Sequence, residues 1–280
     1  MGQRHPPSPA HDHSAGHPDL TMIGSGGRLL LTGGAGVVAQ LLRPMLRERS
    51  EVVLADLRQP PTPPAAGETF RPGDLRDPGY ADEITEGVDA IVHLGGQASP
   101  GADPAELYEV NVGGTATLLE AARRRGVPRL VIASSVHACG GYNTTADWPV
   151  HPDRPVRPCC PYGASKGAME VQARLYSDEV ADARVVCLRF ALVGHPLTWR
   201  PDARAYLADE DLLTLIAASL QTDLAFGCYF GASDCPDPRY DVGPGRALGW
   251  QPKVWVSATG LPGGAPAPQR CRLWPVDPDG

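Results

Sequence analysis

The stretch Thr32-Gly33-Gly34-Ala35-Gly36-Val37-Val38-Ala39 stands directly after the apolar run Arg28-Leu29-Leu30-Leu31-Thr32 and directly before a helical segment. A chain that turns on glycines between a buried strand and a helix has few folds open to it. The apolar run reads as a strand covered on both faces, as strands of parallel sheets are. The glycines permit a sharp turn and bring the backbone close to a pyrophosphate, which then rests on the helix N-terminus. The motif reads as GxGxxA from Gly34 or as GxxGxxA from Gly33, with the methyl of Ala39 where helix meets strand. Alone it is a weak signal. It is answered by Asp56, 20 residues beyond Gly36 at the tip of the next strand, where a carboxylate meets the ribose hydroxyls of a dinucleotide.

The rest of the body keeps this rhythm. A helix runs from about Val37 to Arg49, with Pro44 expected to bend it or end it early. Strands follow at 51–56, 67–71 and 89–94, the last ending in Gly95-Gly96. A long helix from 104 to 125 leads to a strand at 129–135, a helix over 162–179 and a strand at 183–190. Alternating strands and helices specify an α/β fold, a doubly wound parallel sheet of Rossmann type. Beyond 190 the pattern loosens to an amphipathic helix at 209–221 and a late strand at 227–231, read as a small C-terminal portion covering the substrate. We therefore expect one catalytic domain over 27–256, its covering part mainly 191–256. The Pro-, His-, Ser- and Gly-rich leader at 1–26 is expected to be disordered and the tail at 257–280 loosely ordered.

Composition narrows the partners. The 280 residues carry a net charge of −7, with a pI near 5.6, which argues against nucleic acid or an anionic membrane. No apolar run approaches a membrane span. Seven cysteines, an odd number with Cys159 and Cys160 adjacent and no CxxC pair, suggest reduced thiols in a cytoplasmic enzyme rather than a disulfide framework. His5, His11, His13 and His17 could hold a metal loosely, but no metal site is expected.

A chemistry enters with Pro161-Tyr162-Gly163-Ala164-Ser165-Lys166, 27 residues after Ser134-Ser135. A phenol and an ammonium four apart project from one helix face. A nearby positive charge favours the phenolate, so Lys166 is expected to lower the Tyr162 pKa. A tyrosine so tuned passes a proton to or from a carbonyl oxygen near neutral pH. The same pair on an exposed helix would be inert. Its position after a serine-tipped strand and a dinucleotide turn favours the catalytic reading. Val37, Leu57 and Leu94 flank the nucleotide positions already named. Asp74-Leu75 could reach an adenine or belong to an ordinary loop, and Gly95-Gly96 could lie against a cofactor or simply turn the chain. Asp56 repels a 2′-phosphate and so favours NAD(H), while Arg58 leaves NADP(H) open.

Together these residues resemble the extended short-chain dehydrogenase/reductase family, also called the NAD-dependent epimerase/dehydratase family. The resemblance rests on TGGAGVVA, Asp56, HLGG at 93–96, Asn111 in VNVGGTATLLEAA, ASS at 133–135 and YGASK at 162–166. Within the family the chain looks most like uronate dehydrogenases, through HLGG, the ASSxH of Ala133 to His137, and GCYFGAS followed by LGWQPK. The resemblance implies that Ser135 hydrogen-bonds the reacting oxygen, Tyr162 is the general acid or base, and Lys166 binds the nicotinamide ribose. It further implies that Asn111 supports a proton relay, unless it is merely structural, and that the helices at 104–125 and 162–179 pair in a homodimer. His137 becomes a substrate contact, a second acid/base or a packed histidine. Arg200 becomes a grip for a substrate carboxylate, or a solvated loop residue.

Three positions depart from the uronate pattern: Ala98, Val136 and Leu192 stand where that pattern has serine, asparagine and serine. Losing groups that bind sugar hydroxyls while keeping the catalytic set suggests a larger, less polar small-molecule substrate. The reading that follows is an NAD(P)-dependent ketoreductase tailoring a bulky specialised metabolite of polyketide or antibiotic type. Its rivals are a uronate or aldose dehydrogenase, a sugar-nucleotide epimerase or dehydratase, and a non-catalytic dinucleotide sensor.

Overall fold

Side chains are buried on both faces of the central strands, as the unbroken apolar runs require. The computed structural model describes residues 27–197, 200–257 and 259; the leader at 1–26 and all but two residues of the tail at 257–280 lie outside the described residues. Strands β1 (Gly27–Thr32), β2 (Ser50–Asp56), β3 (Glu68–Pro72), β4 (Ala90–His93), β5 (Arg129–Ser135) and β6 (Arg184–Phe190) belong to the main sheet. The two-residue strands β7 (Leu192–Val193) and β8 (Tyr206–Leu207) pair with each other, and β9 (Phe226–Gly231) completes the main sheet. Its order is β3-β2-β1-β4-β5-β6-β9, with every neighbouring pair parallel.

Because strand side chains alternate, β1 sends Leu29 and Leu31 to one face and Leu30 to the other. The first face packs against α1 (Val37–Arg47), through Leu42, Met45 and Leu46, and against α6 (Asp209–Gln221), through Leu212, Leu215 and Ile216. The second is covered by Tyr80 and Ile84 of α2 (Pro78–Ile84), Leu118 and Ala122 of α4 (Gly114–Arg125), and Met169 and Ala173 of α5 (Pro161–Glu179). Two buried ion pairs tie helices to strands. Arg43 bonds both oxygens of Glu68 at the sheet edge. Arg189 of β6 bonds both oxygens of Glu170 on α5, which also accepts from the Ser134 hydroxyl.

Local expectations met two exceptions. Pro44 does not end α1, which runs three residues past it to Arg47, with Arg43, Met45 and Leu46 around it buried. The long helix at 104–125 is interrupted: a short α3 (Pro104–Leu107) opens into a π-turn over Tyr108–Gly113 before α4 resumes. Helix α2 was not expected, although Asp77 and Pro78 form a start signal. The Asp77 side chain accepts from the Gly79 amide, and Pro78 occupies the first turn.

Within 191–256, much of the chain serves the sheet itself, since β9 pairs with β6 and α6 covers the first face. Buried Asp211 of α6 accepts from the Ser233 hydroxyl (2.6 Å) and the Lys253 amide (2.7 Å), tying the late strands and the 253 segment together.

Candidate active site

The chain leaves β1 toward β2 on one side and re-enters at β4 on the other, so the C-terminal ends of β1 and β4 border a crevice. That switch point is where open α/β sheets bind ligands. A cleft of about 1290 Å³ lies there, above the 300–1000 Å³ common for one small ligand. Gly33, Gly36, Val37, Asp56, Leu57, Asp74, Leu75, Leu94, Gly95, Gly96, Ser135, His137, Tyr162 and Lys166 all line it. Two sequence candidates do not: Asn111 is absent from its wall, and the Arg200 side chain lies outside the described residues.

At the nucleotide end the glycine turn is held against both neighbouring strands. Gly33 has φ +70°, and a Cβ there would stand 2.8 Å from the Gly95 amide nitrogen, so neither conformation nor space admits a side chain. Helix α1 starts at Gly36 without a side-chain cap, leaving its first amides for an anion. The Asp56 carboxylate accepts from the Ala35 amide (3.1 Å) and the Arg58 amide (2.9 Å), which fixes it at the strand tip. Asp74 is engaged by Arg76 through a 2.6 Å ion pair, and that guanidinium holds its carboxyl below the usual range. The residues present fit a dinucleotide: a cradle closed to any Cβ, uncapped helix amides, and a fixed carboxylate one strand away.

At the other end, Ser135 closes β5 and Tyr162 opens α5. Gly163 lets these elements meet; a Cβ on it would lie 2.2 Å from the His137 carbonyl oxygen. Lys166 is buried and donates to the Ala133 carbonyl at 2.8 Å, with its Nζ 5.9 Å from the Tyr162 ring centroid. The expected effect of Lys166 on Tyr162 is not found. Burial pushes the phenol up to about 12, a hydrogen bond with Ser135 works against that rise, and the nearby Cys160 adds to it. Burial also brings Lys166 down to about 8, with Glu170 opposing. In this setting the phenol is kept protonated, and desolvation is the largest cause of both shifts.

Asn111 sits on the π-turn with its side chain fully committed. Its Oδ1 accepts from the Gln97 amide (2.7 Å), while Nδ2 donates to the Gln97 carbonyl (3.1 Å) and the Ser165 hydroxyl (2.9 Å). It therefore stands behind the wall and links the 97–101 loop to α5. The wider π-turn projects the amide at this point, a common use of such turns. His93 belongs to the HLGG segment at 93–96. It is buried between the Thr32 and Thr115 hydroxyls at 2.7 and 2.9 Å and pushed down to about 3 by burial and by Lys166, so it is neutral.

The structure also gathers His137, Cys159 and Cys160, a cluster that no sequence spacing announced. The His137 ring meets the edge of Tyr162, with centroids 5.3 Å apart.

The model of the NAD dependent epimerase/dehydratase family matches residues 29–204. A uronate dehydrogenase of Pseudomonas putida is 35% identical over 81% of this chain and 84% of its own length. Among solved structures, uronate dehydrogenase from Agrobacterium tumefaciens superimposes with a TM-score of 0.76 at 32% identity, covering 87% of this chain and 92% of that one. A mutant of that enzyme complexed with NAD gives 0.74 at 32% identity, over 82% and 86%.

Proposed function

The chain belongs to the NAD dependent epimerase/dehydratase family, and from that premise we propose that this NAD-dependent oxidoreductase acts on a CH–OH group of a uronate-type sugar acid. The observation that carries the reading is the meeting of Ser135, Tyr162 and Lys166 on the wall of one cleft with the glycine turn and Asp56. The match to uronate dehydrogenases over four-fifths of the chain supports the substrate class.

In this reading Gly33, Gly36 and the first amides of α1 hold the pyrophosphate, and Asp56 holds the adenosine ribose and disfavours a 2′-phosphate. Bound NAD supplies the hydride acceptor. Ser135 and Tyr162 hold the substrate oxygen; the Tyr162 phenol, protonated at rest, must first release its proton to solvent, and the phenolate so formed takes the hydroxyl proton as the alcohol becomes a carbonyl. Lys166 fixes the nicotinamide ribose and offsets negative charge on the phenol. Positioned proton transfer of this kind contributes about 10²–10⁴-fold.

One observation favours a second reading. Ala98, Val136, Phe190, Ala191, Leu192, Val193 and Ala205 make much of the lining apolar, which suits a bulkier ketone of a specialised metabolite. A homodimer across α4 and α5 also belongs to the proposal; α5 leaves Val171 and Leu175 largely exposed. Among the described residues no helix is long and apolar enough to cross a membrane.

Reduced-nicotinamide absorbance with purified protein tests the choice. Uronates with NAD should turn over at least about tenfold faster, by kcat/KM, than aromatic ketones with NADH. The reverse ranking overturns the uronate assignment in favour of the ketone, and no turnover in either panel overturns the catalytic reading.

A further inference from the structure

We propose that His137, Cys159 and Cys160 form a site for a thiophilic divalent cation, zinc being the ion of choice, and that its occupancy suppresses turnover. Cys159 Sγ and Cys160 Sγ each lie 3.4 Å from the same ring nitrogen of His137, Nδ1, and 3.8 Å from one another. Tetrahedral zinc with bonds of about 2.3 Å to sulfur and 2.0–2.1 Å to nitrogen separates two sulfurs by about 3.8 Å and sulfur from nitrogen by about 3.6 Å. The three donor atoms already stand within a few tenths of an ångström of that triangle, so binding needs little rearrangement.

Hydrogen bonds tie the elements that carry them together. His137 sits in the 3-10 turn after β5 (Val136–Cys139), its amide bonded to the Ser135 hydroxyl. Cys160 caps α5, accepting from the Gly163 amide, and the Cys159 amide donates to the His137 carbonyl at 3.3 Å. All three residues are partly exposed, so an ion can reach them. Two sulfurs and one imidazole select zinc or copper(I) over magnesium or calcium. Three protein ligands also leave a fourth position for water or a substrate oxygen, the pattern of reactive rather than structural zinc sites. Binding releases two thiol protons to solvent and forms two Zn–S bonds and one Zn–N bond, with no change of oxidation state.

The consequence for turnover follows from His137, which rests on the ring of Tyr162 and also lines the cleft. An ion that takes its Nδ1 fixes the imidazole and places a coordination sphere beside the proposed proton acceptor. This second half rests on the proposed dehydrogenase function; the binding half does not.

The test uses the full chain, reduced and stripped with a chelator. Zinc chloride is titrated against a chromophoric competitor, and cobalt(II) serves as the spectroscopic probe. The native protein should bind one ion per chain, show the thiolate-to-cobalt charge-transfer band, and lose turnover as zinc rises. Cys159→Ser and Cys160→Ser remove the soft ligands and keep the volume, and serine is itself a good helix cap. The double variant should lose the cobalt band and need at least about tenfold more zinc to inhibit whatever turnover it has by the same fraction. Equal zinc sensitivity in native and double variant, or no thiolate band, overturns the site. One bound ion with undiminished turnover overturns the inhibitory role. If no substrate is ever turned over, the cobalt band still decides the binding half.

Discussion

Replacing Gly163 by alanine puts two effects of opposite sign in competition. Alanine favours a helix over glycine by up to about 1 kcal/mol, and less in a first turn. Against this, the new Cβ would sit 2.2 Å from the His137 carbonyl oxygen and 2.6 Å from its carbonyl carbon. Carbon and oxygen in ordinary contact are about 3.3 Å apart, so roughly 1 Å must open between α5 and the 3-10 turn. Both atoms belong to backbone, and no rotamer change relieves the clash. Overpacking of this size costs about 1–3 kcal/mol, so the steric term wins by about 1–2 kcal/mol, or a melting point lower by about 2–8 °C. The larger effect is catalytic. The displaced helix carries Tyr162 and Lys166 while Ser135 stays with β5, and a 1 Å misplacement lowers kcat/KM by about 10²-fold. Thermal unfolding by circular dichroism and kcat/KM from reduced-nicotinamide absorbance read the two terms. Gly113→Ala is the control: its Cβ would meet only the Tyr108 carbonyl oxygen, 3.9 Å away, so it should be neutral or slightly stabilising. If Gly163→Ala melts like the native protein and keeps kcat/KM within about threefold, the close approach does not position the catalytic pair.

Tyr162→Phe should fold normally and lose about 10²–10⁴ in kcat/KM; retained turnover would remove the phenol from the mechanism. With Tyr162 near 12 and Lys166 near 8, carbonyl reduction uses a phenol that stays protonated and an ammonium that loses its proton as pH rises through about 8. Its kcat/KM should therefore be level below that pH and fall above it, while Lys166→Met is uniformly slow without the break; a native profile without the break refutes the assignment. Asp56→Asn removes a fixed charge but keeps an acceptor, so KM for NAD should rise several-fold while the NADP to NAD preference shifts by about tenfold or more, both read from initial rates. Glu170→Gln leaves Arg189 buried without its charge partner and should cost about 3–5 kcal/mol in urea unfolding; a loss within experimental error would mean that the pair is not needed.

Where the sequence was legible, the physics was local. The strand at 129–135, the helices at 162–179 and 209–221 and the glycine turn follow from periodicity and backbone freedom, and they appear within a residue of expectation. What could not be read depends on contacts distant in sequence. The π-turn at Asn111 is maintained by Gln97 and by Ser165, 14 and 54 residues away. The Tyr162 shift came out with the opposite sign because spacing shows that Lys166 is near but not that both groups are buried, and burial is the larger effect. Cys159 and Cys160 follow His137 by 22 and 23 residues with no recognised ligand spacing; only the packing of α5 on the 3-10 turn brings them together.

The buried layer beneath the cleft accounts for how a lysine in such a place can still hold a proton. Among the described residues, the Lys166 ammonium bonds the Ala133 carbonyl, with Glu170 acting on it through its charge. A second cation nearby would push it lower still. His93 is one group whose charge would act on Lys166, and the fold denies it a proton by burying it, with a threonine hydroxyl at each ring nitrogen. Neutral His93 adds no opposing charge, and Glu170 works against the fall to about 8 that burial causes. Thr32 and Thr115 thus bear on the YGASK segment from outside it, by bonding the buried, neutral His93 whose charge would act on Lys166.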